Sequence, residues 1–241
     1  MSSEKHTAGT DDPGIDTERD DGSNTSFHAF WADTVADEIE ARNPEEPIVI
    51  KGGVSPSGIP HLGHFNEILR GHFVAEVLRE RGHEVRQVFT SDDRDPLRKL
   101  PRRLADADWN VVELGDVDAG ALGKNLGKPY TAIPDPFGDC HDSYGEHFAD
   151  LLSQAADMVD VPVEVLSNTE MYENGDFEPQ IRTILENVET AREVLAAYQD
   201  SVDDTYSPFR VVCQECVIVT TDVTIDDLES GTVSYVCTGM T

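Results

Sequence analysis

The chain has 241 residues, of which 38% are hydrophobic, so it can bury a core in one large domain or two small ones. Its 48 acidic and 18 basic residues give a net charge of -30, which suits a protein kept soluble at high salt, although an ordinary acidic protein remains the alternative. The sequence has neither an apolar run near the roughly 20 residues that span a membrane nor a signal peptide, so we expect a cytoplasmic protein without membrane contact.

The N-terminal region is expected to be unstructured until about residue 26. Residues 1–25 are rich in Asp, Gly, Ser and Thr and contain too little apolar surface to offset the entropy of ordering them. This composition predicts a disordered acidic tail. Apolar residues at helical spacing between Phe27 and Ala41 then predict an amphipathic helix.

A strand-helix-strand unit follows this helix. The apolar run at 47–53 predicts a buried strand, a helix is expected from about His61 or Leu62 to near Gly82, and residues 84–91 predict a second strand. Units of this length make parallel β-α-β connections. A third strand at 161–167 and helices at about 143–158 and 178–199 continue the alternation. We therefore predict an α/β fold over residues 26–205.

The connection after the first strand is broken by three turn-forming residues: Pro56, Ser57 and Gly58. The next helix therefore begins with free amide groups at the carboxyl edge of the sheet, where open α/β folds bind ligands and where anions are favoured. His61 and His64 lie on one helix face and can donate to phosphate oxygens, and Gly63 leaves room for a planar group such as a purine. These features predict a nucleotide phosphate site, although histidines at a helix start can also be polar surface.

The C-terminal segment at 206–241 has the character of a cysteine-rich β-ribbon. Two residues separate Cys213 from Cys216, and a further 20 residues separate Cys216 from Cys237, which is zinc-knuckle spacing. A structural zinc site needs a fourth ligand, for which Cys140 and His141 are internal options and a residue beyond 241 is favoured. The alternative is a set of reduced structural thiols, because disulfides are disfavoured in the cytoplasm.

The sequence Pro60-His61-Leu62-Gly63-His64 resembles the HIGH signature of class I aminoacyl-tRNA synthetases, which activate amino acids with ATP on a Rossmann-like nucleotide-binding fold. Three further blocks resemble the class I lysyl-tRNA synthetases: SDDRDPLRKLP at 91–101, LGKPYTAIPDPFG at 126–138 and TEMYENGDF at 169–177. The resemblance covers roughly residues 27–241. Its specificity comes from the DDxDPLRK block, because many nucleotidyl transferases share the histidine motif.

The resemblance implies that lysine and ATP are joined into lysyl-adenylate and that the lysyl group is transferred to tRNA(Lys). His61 and His64 would contact the ATP phosphates, and Gly63 would pack under adenine. The rest of the ATP site would be formed by the flanking residues Pro56, Ser57, Gly58, Pro60 and Leu62. Mg²⁺ is expected to bridge phosphate oxygens, and no residue in the sequence identifies its ligands.

The amino-acid pocket is predicted at the same edge of the sheet. Gly53 and Ser55 match positions that line this pocket in the family. The ε-ammonium group needs a carboxylate partner, because a buried unpaired charge is strongly disfavoured. The candidates follow the second strand: Asp92, Asp93 and Asp95. We favour Asp92 or Asp93, since Asp95 precedes Pro96 and can simply shape a turn, and a carboxylate cluster can also arise by chance in so acidic a chain.

A basic cluster interrupts the acidic sequence and holds five of its 18 bases: Arg94, Arg98, Lys99, Arg102 and Arg103. Such a patch can bind phosphate from ATP or from the tRNA acceptor end. The alternative is that these bases pair with nearby Asp106 and Asp108. The net negative charge does not exclude RNA binding, because local patches matter more than the total charge at high salt.

The KMSKS signature and the anticodon-binding domain of class I synthetases do not occur in the sequence, which stops at Thr241 within the cysteine-rich segment. We therefore expect the N-terminal part of a longer, monomeric lysine–tRNA ligase, with little or no aminoacylation activity on its own. Two other interpretations stay open. One is a different class I synthetase or nucleotidyl transferase, and the other is a non-catalytic tRNA- or zinc-binding fragment.

Overall fold

The computed structural model describes residues 29–138, 140–200, 202–203 and 206–239. The tail predicted at 1–25 lies outside these ranges, and so does Phe27. In chain order the helices are α1 (Trp31–Ala41), α2 (Leu62–Glu80), α3 (Ala119–Gly123), α4 (Tyr144–Asp157), α5 (Asn168–Glu173), α6 (Glu178–Glu186) and α7 (Val188–Ala196). The strands are β1 (Ile48–Val54), β2 (Val85–Ser91), β3 (Arg103–Ala105), β4 (Val111–Glu113), β5 (Glu164–Ser167), β6 (Val211–Val212), β7 (Val219–Thr220), β8 (Val223–Asp227) and β9 (Thr232–Tyr235).

The central sheet has three parallel strands in the order β1-β2-β5. Strands β1 and β2 are in register up to the pair Val54 and Ser91, and β2 and β5 up to Ser91 and Ser167. The three strands therefore end level, and the residues that follow them meet at one edge. This arrangement confirms the predicted parallel sheet and is compatible with a Rossmann-like fold.

Strand β2 is buried from Gln87 to Ser91, because it is the central strand. Ile68 of α2 and Leu152 of α4 pack with Phe89 of β2 in one core cluster. A second cluster joins α1 to α2, where Ala32 and Ala36 are fully buried and allow close helix contact. These two helices and α4 therefore fix the position of the sheet edge.

The prediction of one helix over 178–199 is wrong. The structure has two helices, α6 and α7, on either side of Asn187, whose φ of -120° and ψ of 26° leave the helical region. The Asn187 side chain donates to the carbonyl of Thr183. Asparagine competes with the helix by bonding to nearby backbone in this way, so the break is local in origin.

The segment 206–239 forms two short antiparallel hairpins, β6–β7 and β8–β9. The predicted β-ribbon is therefore present as two separate pairs of strands. The β3–β4 hairpin and helices α3 and α5 were not predicted. Within the described part of the chain, no helix combines the length and apolar character needed to cross a membrane.

Candidate functional site

The connection between β1 and α2 is held in place by a hydrogen bond from α4. The Tyr144 hydroxyl, on a fully buried side chain, donates to the carbonyl of Ser57 at 2.9 Å. Pro56 and Pro60 are buried at the two ends of the connection, and Gly58 has a φ of 153°, which other residues rarely adopt. The predicted turn residues thus place the start of α2 at the carboxyl edge of the sheet.

The two predicted histidines lie together in the first turn of α2. His61 is the N-cap, and its Nδ1 accepts from the Gly63 amide at 3.0 Å, so the neutral ring carries its hydrogen on Nε2. The His61 and His64 rings stack with centroids 3.9 Å apart. Burial, and then the nearby charge of His61, lower the pKa of His64, so this ring is neutral at neutral pH. His61 is exposed and His64 is half-buried.

The space over Gly63, which the sequence predicted would receive a purine, is occupied by a neighbouring ring. A Cβ at this position would lie 2.8 Å from His61 Cε1 and 2.9 Å from His61 Nδ1. Glycine therefore allows His61 to fold back and cap its own helix. Gly53 has a comparable constraint, because a Cβ there would clash with the Thr90 hydroxyl oxygen on β2.

The aspartates after β2 have different partners. Asp92 accepts from the Asn168 side chain at 2.7 Å, and Asp95 accepts from the Ser55 hydroxyl at 2.7 Å. Asp93 is only 4% exposed, and its carboxylate accepts from the Thr169 amide in the first turn of α5. The structure therefore directs Asp93 to a helix N-terminus, whereas Asp92 and Asp95 line a cavity.

The cavity next to Asp92 and Asp95 has a volume of about 530 Å³. Its lining includes Tyr172, side chains of α6 and several residues between Pro208 and Val219. Burial, and then the Asp95 charge, raise the pKa of Asp92, while Lys51 and the Asn168 hydrogen bond lower it. The raised pKa indicates that Lys51 and Asn168 only partly compensate the Asp92 carboxylate for its burial and for the nearby Asp95 charge.

The histidine pair lies near the cavity but does not form part of its wall. Neither His61 nor His64 lines the cavity. The two are joined across the sheet edge, because the Asp92 amide donates to the carbonyl of Val54 at 2.8 Å and Ser55 bonds to Asp95. A ligand with one end at α2 and the other in the cavity would therefore cross the ends of β1 and β2.

The basic cluster divides into one residue at the cavity and four on the surface. The Arg94 guanidinium lies 4.8 Å from the centre of the Tyr172 ring, a cation-π contact at the cavity wall. The four exposed members are Arg98, Lys99, Arg102 and Arg103. Among the described residues, none of these four forms an ion pair, and Asp106 bonds instead to Asn110 and to the Asp108 amide. Pairing with Asp106 or Asp108 is therefore not observed.

The three predicted cysteines converge. The sulfur atoms of Cys213, Cys216 and Cys237 lie within 4.8 Å of one another. The backbone amides of Cys216 and then Glu215 lower the pKa of Cys213 to about 7, which favours the thiolate that binds zinc. This donor set fits three of the four ligands of a structural zinc site. The internal candidates Cys140 and His141 do not join it and belong to a second cluster.

The residues of the cavity wall that the sequence analysis did not predict include Asn168 and Tyr172. Asn168 directly follows β5, so its place at the common edge of the sheet was deducible from the predicted third strand. Tyr172 lies in the block 169–177, which the sequence indicated only through its resemblance to the class I lysyl-tRNA synthetases. Its contact with Arg94 depends on how α5 packs against the connection after β2.

The family described as tRNA synthetases class I (K) matches residues 29–241, and the chain belongs to this family. The match confirms the class that the histidine motif and the DDxDPLRK block predicted. It covers every residue of the predicted site.

Individual relatives narrow the comparison to one kind of synthetase. The chain is 66% identical to the lysine–tRNA ligase of Natronomonas pharaonis over 86% of its length, and 63% identical to that of Halobacterium salinarum over 95%. It is 32% identical to the lysine–tRNA ligase of Pyrococcus horikoshii over 77% of its length. The chain spans 38%, 41% and 34% of the length of these three relatives.

Proposed function

We propose that the chain forms the ATP- and lysine-binding part of a lysine–tRNA ligase, the enzyme that makes lysyl-adenylate and transfers lysine to tRNA(Lys). The observation that carries the proposal is the sheet edge where the ends of β1, β2 and β5 bring a histidine pair beside a carboxylate-lined cavity. The identity of 63–66% to two lysine–tRNA ligases supports the choice of amino acid.

In the proposed activation step, a carboxylate oxygen of lysine attacks the α-phosphorus of ATP. A new P–O bond forms, the bond to the β-phosphate bridging oxygen breaks, and pyrophosphate leaves with that electron pair. Negative charge grows on the α-phosphate oxygens, so hydrogen-bond donors already aimed at them lower the barrier. Mg²⁺ supplies further charge neutralisation when it is bound with ATP.

The histidines are suited to donate in this step. Because Nδ1 of His61 is engaged by the Gly63 amide, its Nε2–H is held ready for an outside acceptor. The stacked His64 ring is neutral at neutral pH and offers a second N–H. Pro56, Ser57, Gly58, Pro60 and Leu62 position this turn and complete the proposed nucleotide site.

The cavity is suited to the lysine side chain. Its apolar wall would contact the aliphatic stem, and Asp92 and Asp95 would pair with the ε-ammonium group. Opposite charge favours an ionised carboxylate, so bound lysine would reverse the raised pKa of Asp92. Ser55 would hold Asp95 in place through its 2.7 Å hydrogen bond. We accordingly propose Asp92 and Asp95, rather than Asp93, as the partners of the substrate.

The exposed bases support a second part of the proposal, contact with tRNA phosphates. Arg98, Lys99, Arg102 and Arg103 form a local positive patch on a chain of net charge -30. The same patch favours the competing interpretation, an RNA-binding fragment without catalysis. That interpretation predicts tRNA binding in the absence of any ATP or lysine binding.

The test is calorimetric titration of the 241-residue chain with ATP and with L-lysine, together with lysine-dependent exchange of pyrophosphate into ATP. We expect both ligands to bind, lysine in preference to arginine and ornithine, with little exchange by the chain alone. Preference for another amino acid would favour a different class I synthetase. Binding of tRNA without ATP or lysine would contradict the proposal.

A further inference from the structure

The basic residue Arg94 lies at the proposed amino-acid cavity and not with the surface members of its cluster. Its side chain is half-buried, and the carbon of its guanidinium group lies 4.8 Å from the centre of the Tyr172 ring. Asp92 and Asp95 line the same cavity, yet Arg94 forms no ion pair with either of them in the part of the chain that the structure describes. The guanidinium group thus covers an aromatic ring and leaves both carboxylates for a ligand.

The Tyr172 ring is placed where it can contribute to a binding surface. Tyr172 lies in α5, the short helix whose first residue, Asn168, donates to Asp92 at 2.7 Å. Its ring contacts that of Phe177, with centroids 4.7 Å apart, and Phe177 also lines the cavity. Tyr172 keeps 44% of its surface exposed, so the ring is accessible except where Arg94 and Phe177 contact it.

Arg94 also separates the amino-acid cavity from a second one. The neighbouring cavity has a volume of about 340 Å³, and its lining comes from the connection before α4, from α5 and from the β6–β7 hairpin. Arg94 and Val212 line both cavities. Each volume falls in the range of small-molecule sites, about 300–1,000 Å³. A shorter side chain at position 94 would therefore extend the amino-acid cavity toward free space.

Lysine and arginine would use such a site differently. The ammonium group of lysine is compact and strongly hydrated and pairs with carboxylates, whereas the planar, more weakly hydrated guanidinium group of arginine also stacks on aromatic faces. In a cavity with both carboxylates and an uncovered tyrosine ring, arginine would gain from both. Arg94 removes that gain, because a guanidinium group of the chain already occupies the ring and repels a second cation beside it.

We propose that Arg94 determines specificity in the amino-acid cavity: it covers the Tyr172 ring and closes the way to the second cavity, so that ligands with a guanidinium group are excluded. The inference rests on the proposed function for the claim that the accepted ligand is lysine. The exclusion of arginine depends only on the contact of Arg94 with Tyr172 and on its place between the two cavities.

The test is calorimetric titration of the 241-residue chain and its variants with L-lysine and L-arginine. In Arg94→Ala we expect arginine to bind about tenfold more tightly, because its guanidinium group gains the ring and the second cavity. Loss of a positive charge favours any cation, so lysine affinity should rise by less, about threefold at most. Arg94→Gln, which disturbs packing less, should change the ratio of the two affinities in the same direction. An unchanged ratio would overturn the proposal.

The matched control is Arg210→Ala. This substitution removes the same charge from another arginine that lines the amino-acid cavity, but one that does not stack on Tyr172. It should affect lysine and arginine alike and leave the ratio of their affinities unchanged. An equal loss of preference in Arg210→Ala would assign the effect to net charge and not to Arg94.

The contribution of the ring is tested by adding Tyr172→Leu to Arg94→Ala. We expect the second substitution to abolish the gained arginine affinity, because leucine keeps the wall apolar without offering an aromatic face. Persistence of the gain in the double variant would contradict the proposed contact between the ligand and the ring.

The outcome for Arg94 is distinguishable from the outcome for the proposed function. If the unaltered chain bound no lysine, the proposed function would fail, yet arginine binding gained in Arg94→Ala and lost in the double variant would still support exclusion by Arg94. Normal lysine binding without any gain of arginine binding in Arg94→Ala would overturn the inference about Arg94 and leave the proposed function intact.

Discussion

At the scale of residues, the first turn of α2 depends on a glycine that makes room for a histidine. His61 caps the helix with its own ring, and this is sterically allowed only because Gly63 lacks a Cβ. The same contact fixes the tautomer that leaves Nε2–H free.

The substitution Gly63→Ala tests this contact. The new Cβ would displace the His61 ring, so we expect ATP affinity to fall about tenfold, a loss of about 1.4 kcal/mol. The free energy of unfolding should change by less than about 1 kcal/mol, because alanine's higher helix propensity offsets the lost cap. Titration with ATP and urea denaturation measure the two effects.

The matched control is Gly123→Ala, because a Cβ there has no neighbour within 4 Å. It should leave ATP affinity unchanged. If Gly63→Ala also bound ATP normally, the His61 ring would have no part in nucleotide binding.

Two adjacent aspartates illustrate how neighbouring residues of one type differ in role. Asp92 lines the cavity with a raised pKa, and Asp93 is buried against the Thr169 amide. The substitutions Asp92→Asn and Asp93→Asn make the same chemical change at the two positions, because each replaces a carboxylate by a neutral amide of nearly the same shape. We expect Asp92→Asn to weaken lysine binding at least about tenfold, by loss of the charge partner, and Asp93→Asn to change it by less than about twofold.

The pH dependence of lysine binding provides a further prediction. Burial raises the pKa of Asp92 above the ordinary value of 3.8, so the free chain takes up a proton there as the pH falls. We expect lysine affinity to decrease as the pH falls through this raised pKa, because the ammonium group needs the ionised carboxylate. Calorimetric titrations between neutral and acid pH measure this effect. Asp92→Asn should lack this pH dependence, and an unchanged profile in that variant would rule out Asp92 as the group responsible.

The raised pKa also has a consequence for stability in the absence of lysine. A carboxyl group with a raised folded pKa contributes stability at acid pH that is lost as the pH rises through that value. At neutral pH the ionised Asp92 is therefore unfavourable in the free chain. Asp92→Asn should accordingly bind lysine poorly without a loss of stability at neutral pH, a trade-off typical of binding sites.

At the scale of elements, an arginine adds a polar link between α1 and α2 to their apolar packing. Arg81, at the C-cap of α2, bonds to Asp33, Asp37 and Glu40 of α1, and its side chain is 22% exposed. These carboxylates raise the pKa of Arg81, the largest contribution coming from Asp37. The contact supports the core cluster in which Ala32 and Ala36 are buried.

We expect Arg81→Met to lower the free energy of unfolding by about 1–2 kcal/mol, because three carboxylates lose their shared partner while the aliphatic packing is kept. Chemical denaturation at low salt measures the loss, which should shrink at high salt. The control is Arg86→Met, since Arg86 and Glu164 form an exposed pair whose removal should have no measurable effect. Equal effects of the two substitutions would mean that the three-acid contact is no stronger than a surface pair.

At the scale of the whole molecule, the net charge of -30 is the dominant property. Mutual repulsion of surface carboxylates destabilises the compact state, and salt screens it. The lysine–tRNA ligases of Natronomonas pharaonis and Halobacterium salinarum are similar to this chain, which supports the prediction of adaptation to high salt. The basic patch at Arg98, Lys99, Arg102 and Arg103 stands out against this background.

Increasing KCl from about 0.1 M to about 1 M shortens the Debye length from about 10 Å to about 3 Å. We expect the melting temperature of the chain to increase by at least about 5 °C over this range, because repulsion among carboxylates is screened more than the close ion pairs. Circular dichroism during heating measures the change. A flat or falling melting temperature would contradict the prediction of adaptation to salt.

The β-α-β unit was predictable because its signals are local. The apolar runs at 47–53 and 84–91, the turn at Pro56-Ser57-Gly58 and the helical periodicity between them correspond to β1, β2 and α2. Short elements such as β3 and β4 were missed, because three residues carry too little periodicity to distinguish a strand from a loop.

The sequence by itself determined the family, the parallel sheet and the residues that meet at its carboxyl edge, because motifs and periodicity depend on neighbours along the chain. Only the tertiary structure decided that Asp93 serves a helix while Asp92 faces the cavity, and that Asp135 and His147 meet Cys140 and His141. Side-chain direction depends on packing between elements distant in sequence. That packing, rather than local pattern, separates a carboxylate that lines the cavity from one that accepts from a helix N-terminus.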